Sequence, residues 1–357
     1  MAEDDAARDP VDIVLTYVDG AAPGFQDQYR QIVGREATPC HVRSLGEVRY
    51  ALRSIHQHAS WARDVIFLTQ DLGHVPAWLN TNRVRVVTLD EFMPPEALPS
   101  FNPFAIQAWA HRIDGLARRF VLWSDDQLAL CPTRAEDFFD GHGTPKVPTH
   151  AGRSFFMVGA RWDRFSRRLA NSFLALDAIT PSGTRGRGSP WRRLVSHTPV
   201  PVEIELWRTF LDALQDQPGF TETVRSHTRD GTESPSRRIV ILELWCSWLL
   251  ALHPSEVSSE GRVSALVRVA KEYFGLVPAH EGHFSVRHDP EWTAASMARL
   301  LRRRPRFACL NDEAYRRYAD PQGTVWWQQM ELEPSALRSL HAALGELFPQ
   351  PSPYELT

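Results

Sequence analysis

Arg119-Phe120-Val121-Leu122-Trp123-Ser124-Asp125-Asp126-Gln127-Leu128 is a mostly apolar run that stops at a serine and two adjacent acids. A buried strand ending this way puts negative charge at the carboxyl edge of a sheet, where open α/β sheets bind their ligands. Neighbouring carboxylates repel unless a cation joins them, and at a phosphate site that cation is commonly a divalent metal. Taken alone, the stretch reads better as an ordinary strand followed by an Asp-Asp turn. Its weight comes from what surrounds it.

Upstream, Val11 to Val18, Val65 to Thr69 and Val84 to Leu89 read as strands, the first rich in β-formers and continuous enough to be buried on both faces. The first stops at Asp19-Gly20, a turn signal, so it too ends in an acid. Alone, Asp19 reads as a turn residue; if the first and fourth strands are neighbours, it lies beside Asp125 and Asp126. Ser44-Leu45-Gly46-Glu47 has the capping-box pattern, and Leu45, Val48, Leu52 and Ile55 follow at helical spacing. Glu47, Tyr50 and Arg53 lie off that stripe; Arg43 and Arg53 are either solvated charges or face a phosphate. Asn102-Pro103 starts a further helix, with Ile106, Trp109, Ala110 and Ile113 as its apolar face and His111 off it. Strands alternating with helices predict a parallel α/β sheet.

The whole chain has 357 residues, 43% hydrophobic and 23% charged, as in a globular protein large enough for two or so lobes. Forty basic and forty-three acidic residues give a net charge of −3, which argues against bulk nucleic-acid binding. Residues 1–10 read as a disordered, acidic lead without the features of a secretory signal. The longest apolar run, Ile239 to Leu252, is interrupted by Glu243 and falls short of the roughly 20 residues of a membrane span. It reads as a buried helix. Cys40, Cys131, Cys246 and Cys309 are scattered, which fits a reducing cytoplasm better than a disulfide framework.

Downstream, residues 131–196 read as an insertion, with a strand around Phe155 to Val158 and a helix from Arg161 to Leu176. Thr180 to Arg193 carries Arg185, Arg187, Arg192 and Arg193 among Pro, Gly and Ser. It is either a solvated loop or a flap whose guanidinium forks grip an anion. Helices are expected at 203–214, 239–252 and 335–347. His280-x-x-His283 has a metal-ligand spacing but is weak by itself. Phe307-Ala308-Cys309-Leu310-Asn311-Asp312 repeats the apolar run ending in oxygen ligands.

In order, several of these stretches resemble the signature blocks of the Stealth family, sugar-phosphate transferases of bacterial capsules related to the animal lysosomal-enzyme N-acetylglucosamine-1-phosphotransferase. Leu15 to Gly20 resembles the first block. Glu47 to Ile55, Val75 to Asn80, Leu98 to Asn102 and His111 to Leu128 resemble the second. His197-Thr198-Pro199 with Phe220 to Arg229 resembles the third, and Phe307 to Asp312 the fourth. The joint order is specific where no single block is. The chain departs from the pattern at Ser124, where the family has Asn, and at Tyr17, where it has Trp. Residues 131–196 carry no resemblance.

The resemblance implies an α/β, Rossmann-like (glycosyltransferase-A-like) core with a mostly parallel sheet, built from 11–130 and 197–357, with an added helical region. It implies transfer of a hexose-1-phosphate from a nucleotide-sugar to a glycan hydroxyl, with release of nucleoside monophosphate. Mg2+ or Mn2+ would sit on Asp125, Asp126, Asn311 and Asp312. His197, Arg229 and Asp126 would be catalytic, His197 taking the acceptor proton and Arg229 holding the phosphoryl group. Asp19, Arg43, Glu47, Arg53, Asn102, His111 and Ser124 would line the substrate pocket. The expected setting is the cytoplasm, with peripheral association at the inner face of a membrane as an option and no integral segment. Two readings compete: a metal-dependent glycosyltransferase releasing nucleoside diphosphate, and a non-catalytic glycan-binding protein.

Overall fold

The computed structural model describes residues 9–147, 149–156, 164–184, 187–188, 191–228, 237–252, 280–319 and 325–356. Its axis is β1 (Val11–Thr16), flanked in parallel by β2 (Val65–Thr69) and by β4 (Arg119–Ser124). Beyond β2 lies β3 (Arg85–Thr88), and beyond β4 lies the antiparallel β8 (Val200–Glu203), giving the order β3-β2-β1-β4-β8. The chain leaves β1 in one direction to build β2 and β3, then returns to place β4 on the other side. That reversal opens a crevice at the carboxyl ends of β1 and β4. The register pairs Thr16 with Ser124, so the first and fourth strands are neighbours and their two acid-bearing ends come out together.

Alternation along each strand divides the interior into two layers. Val14, Ile66, Leu68, Phe120 and Leu122 face one core, shared with α3 (Pro103–Trp109), α4 (Arg164–Ile179), α5 (Ile204–Leu214) and α7 (Ile241–Leu252). Ile13, Leu15, Phe67, Val121 and Trp123 face the other, shared with α2 (Glu47–His58), α8 (Pro290–Arg303) and α9 (Pro334–Leu347). The remaining helices are α1 (Phe25–Val33) and α6 (Pro218–Arg225). Among the described residues no helix is long and apolar enough to cross a membrane.

A second sheet abuts the first. After the Asp125-Asp126 turn the chain forms β5 (Gln127–Ala129), antiparallel to β10 (Phe307–Asp312), which runs parallel to β9 (Glu281–Val286). Hairpins β6 (Thr149–Phe156) with β7 (Trp191–Val195), and β11 (Tyr315–Ala319) with β12 (Val325–Gln329), complete the described strands.

Several boundaries differ from expectation. The first strand ends at Thr16 because the backbone peels away to let Asp19 make a turn. Its Oδ1 accepts from Ala21 N at 2.8 Å. The Ser44 capping box does not form: Gly46, at φ 81°, precedes α2, and the Glu47 carboxylate folds back to accept from Leu45 N. Of the four arginines expected in a basic flap, Arg192 is instead buried in β7 and paired with Asp177 at 2.6 Å. Arg187 is exposed, and Arg185 lies outside the described residues. Met157 and Val158, placed in a strand from sequence, also lie outside them.

Candidate active site

Residues 124–127 form the tight turn from β4 into β5. Gln127 closes it, accepting from Ser124 N through Oε1 at 3.1 Å and from Trp123 Nε1 through its carbonyl at 2.8 Å. Asp125 and Asp126 are left at the tip, over the crevice between β1 and β4. On the β1 side, Gly20 packs against Val42 so closely that a Cβ would lie 2.6 Å from Val42 Cγ2. That approach carries the 39–43 loop, and with it Arg43, to the mouth of the crevice. Asp19 donates its backbone N–H to His74 Nδ1 at 3.2 Å.

Glu47 joins the acids from the first turn of α2. It is 6% exposed, and burial, with Asp126 and Asp312 nearby, pushes its carboxyl up to about 8. Burial and the Glu47 and Asp126 carboxylates likewise hold Asp125 well above the usual range. Tyr17, beside the same acids, hydrogen-bonds Ser44, and its phenol is raised chiefly by burial. Two acids pressed together this way, Glu47 and Asp125, resist ionisation unless positive charge enters.

The β5–β10–β9 sheet supplies the opposite wall. Cys309 pairs with Gln127 on one side and His283 on the other, so the three lie on one face. The Cys309 thiol lies 3.2 Å from both Asp126 Oδ2 and Asn311 Oδ1. His197, just after β7, donates its backbone N–H to Glu281 Oε2 at 2.8 Å, and its exposed ring lies 5.6 Å from that of His283. Ligand atoms of Asp126, His197 and Cys309 all lie within 4.8 Å of one another.

The structure therefore gathers Asp125, Asp126, Glu47, Asn311, Ser124 and His197, with Arg43 and Asp312 beside them. Arg43 and Asp312 are committed to each other, Nε to Oδ2 at 2.8 Å, and Asp312 Oδ1 also accepts from Ala314 N. Three other expected residues are held by structural contacts. Arg53 forks onto Glu355 and donates to the Phe348 carbonyl. Asn102 is fully buried, caps α3 through Phe104 N and donates to the Thr223 and Ser226 carbonyls. His111 meets the Ala108 carbonyl through Nδ1 at 2.9 Å, and burial lowers its pKa. Arg229 lies outside the described residues.

Residues 41–147 match the sequence profile of Stealth protein CR2, conserved region 2. A capsular polysaccharide phosphotransferase of Streptococcus thermophilus is 33% identical over 191 residues, 51% of this chain and 77% of that protein. The chain belongs to the Stealth family. An exopolysaccharide phosphotransferase of Streptomyces coelicolor is 36% identical over 147 residues, but only 25% of its length is spanned. One from Nocardia farcinica is 33% identical over 243 residues, 62% of this chain and 44% of that one. Membership in this family makes the chain a transferase enzyme. Among solved structures, apo mouse xyloside xylosyltransferase 1 is similar over 84% of this chain and 97% of that one, at 10% identity and a TM-score of 0.32. A likeness that loose adds nothing to the topology above.

The acid pocket of this Stealth protein fits a divalent cation. Asp126 Oδ1 is buried without a hydrogen-bond partner, an orphan that a cation would satisfy. Among the described residues the group whose ligand atoms already lie within 4.8 Å of one another is Asp126, His197 and Cys309, with the acids Asp125 and Glu47 close enough to press on one another's charge. Sequence reasoning missed Cys309 as a member of the site. Its signal is the alternation Phe307, Cys309, Asn311, which puts the thiol on the same face as the amide two residues on. Glu47 was expected as a substrate contact; only the fold shows it among the acids.

Proposed function

We propose that this Stealth protein moves a sugar-1-phosphate from a nucleotide-sugar to a glycan hydroxyl, in capsular or exopolysaccharide synthesis, and releases nucleoside monophosphate. The observation that carries this is the meeting of the Asp125-Asp126 turn with His197, segments far apart in sequence. The phosphotransferase names of the relatives support the same reading.

Phosphoryl transfer asks for charge neutralisation and in-line placement more than for covalent help. Asp125, Asp126, Glu47 and Asn311 would hold Mg2+ or Mn2+, which when bound neutralises diphosphate oxygens and stabilises the departing nucleotide. His197, exposed at the rim, takes the proton of the acceptor hydroxyl as its oxygen attacks phosphorus. Arg43 turns from Asp312 to a phosphate oxygen when the donor enters, and Arg229 holds the phosphoryl group in transfer. Asp19 and Ser124 line the donor side.

Purified protein is incubated with a panel of nucleotide-sugars and a glycan acceptor, with Mg2+ and then chelator. Metal-dependent nucleoside monophosphate with a phosphodiester product is expected; nucleoside diphosphate would replace this reading with plain glycosyl transfer. His197→Ala should lower turnover by about 10²–10⁴-fold with donor binding retained.

A further inference from the structure

The acid pocket has a second, softer side. Asp126 belongs both to the oxygen set on the β4–β5 turn and to the trio it makes with His197 and Cys309. We propose that this trio is a Zn2+ site whose occupancy shuts the enzyme off, an inference that rests on the function above for what is inhibited.

The three residues offer one oxygen, one nitrogen and one sulfur, the mixture that selects zinc over magnesium. Sγ of Cys309 is already 3.2 Å from Asp126 Oδ2. Ligand atoms around tetrahedral zinc lie about 3.3–3.7 Å apart, so the trio has to close by roughly 1 Å. The exposed His197 ring can supply that movement by side-chain rotation, with the fourth position left to water. Asp126 Oδ1, buried and without a partner, marks the carboxylate as built for more than its contact with the thiol.

Binding replaces the Cys309 S–H bond by a Zn–S bond and releases the proton to buffer; no oxidant or reductant takes part. Two effects on transfer follow. A zinc ion on Asp126 draws that carboxylate's charge away from the catalytic ion and repels it as a second dication, and a His197 nitrogen bonded to zinc has no lone pair for the acceptor proton. The pocket thus sorts cations by chemistry, hard ions to the oxygens and borderline-soft ions to the trio.

The test uses the full chain stripped of metal, with Zn2+ and Co2+ as probes. Calorimetry should find one Zn2+ bound about a hundredfold tighter than Mg2+. Co2+ should give a thiolate-to-cobalt charge-transfer band in the near ultraviolet. Cys309→Ser should abolish the band and weaken Zn2+ about tenfold or more, with Mn2+ affinity held within about twofold. Stoichiometric Zn2+ should stop Mg2+-supported transfer, and a zinc-selective chelator should restore it. Cobalt without the band, unchanged zinc affinity in Cys309→Ser, or transfer sustained by Zn2+ would each overturn the proposal. Band and affinity are read without donor or acceptor. Absent transfer with an intact band therefore overturns the transfer reading instead.

Discussion

At Asp125, stability and function pull in opposite directions. Its carboxyl is pressed by burial and by Glu47 and Asp126, an arrangement of use only when a cation arrives. Asp125→Asn keeps the shape and removes the group that resists ionisation. It should stabilise the metal-free protein by roughly 1–2 kcal/mol while abolishing metal-dependent transfer. Thermal melts in chelator, paired with the nucleotide assay, check both; a mutant less stable than wild type would show the acids are not strained. Asp12 is the contrasting acid. It is fully buried, but it accepts two guanidinium contacts from Arg63, at 2.9 and 2.6 Å, and the Ala117 N–H at 2.7 Å. Both look alike in sequence, an aspartate in or at the end of an apolar strand. Only their partners separate a brace from a site, and those partners come from distant segments.

Between elements, Glu243 ties α7 to β7, accepting from Val195 N at 3.1 Å two residues before His197. Burial pushes its carboxyl from an ordinary 4.5 up to about 8. A raised acid binds its proton more tightly in the folded state. The resulting stability is full below about pH 4.5 and is lost as pH rises through 8. Glu243→Gln keeps a neutral acceptor at every pH. The melting temperature of the mutant should therefore gain on wild type from pH 5 to about 8 and level off above that; a gap that stays constant would show that Glu243 does not titrate. The central strands were legible because buried parallel strands write continuous apolar runs. The three-residue β5 was not, since its pairing with β10 depends on a partner far along the chain. The Thr180 to Arg193 stretch was misread in part because composition cannot show that Asp177 reaches back to Arg192.

Across the molecule, the segment around Glu355 is fastened to the front half of the chain. Glu355 receives the Arg53 fork at 2.8 and 2.7 Å, and Leu79 bridges to it through the backbone. Arg53 lies on α2, the helix that carries Glu47 to the acids. Glu355→Ala leaves the partly buried Arg53 with the Phe348 carbonyl and the Tyr50 ring and should cost about 1–3 kcal/mol by denaturant unfolding. It should also weaken Mn2+ binding; a full loss of stability with unchanged Mn2+ affinity would separate the clamp from the site. The family blocks named Asp125, Asp126, Asn311 and His197, which the fold brings near one another, whereas Arg53 fell within a block and serves the frame. Protein synthesis gives this clamp a further meaning. The ribosome delivers β1, α2 and β4 long before Glu355, so a nascent chain carries its acids before it carries the brace on the helix of Glu47. Capacity to grip a metal should then appear late in translation, and a chain interrupted early should leave the ribosome unable to compete for the ion.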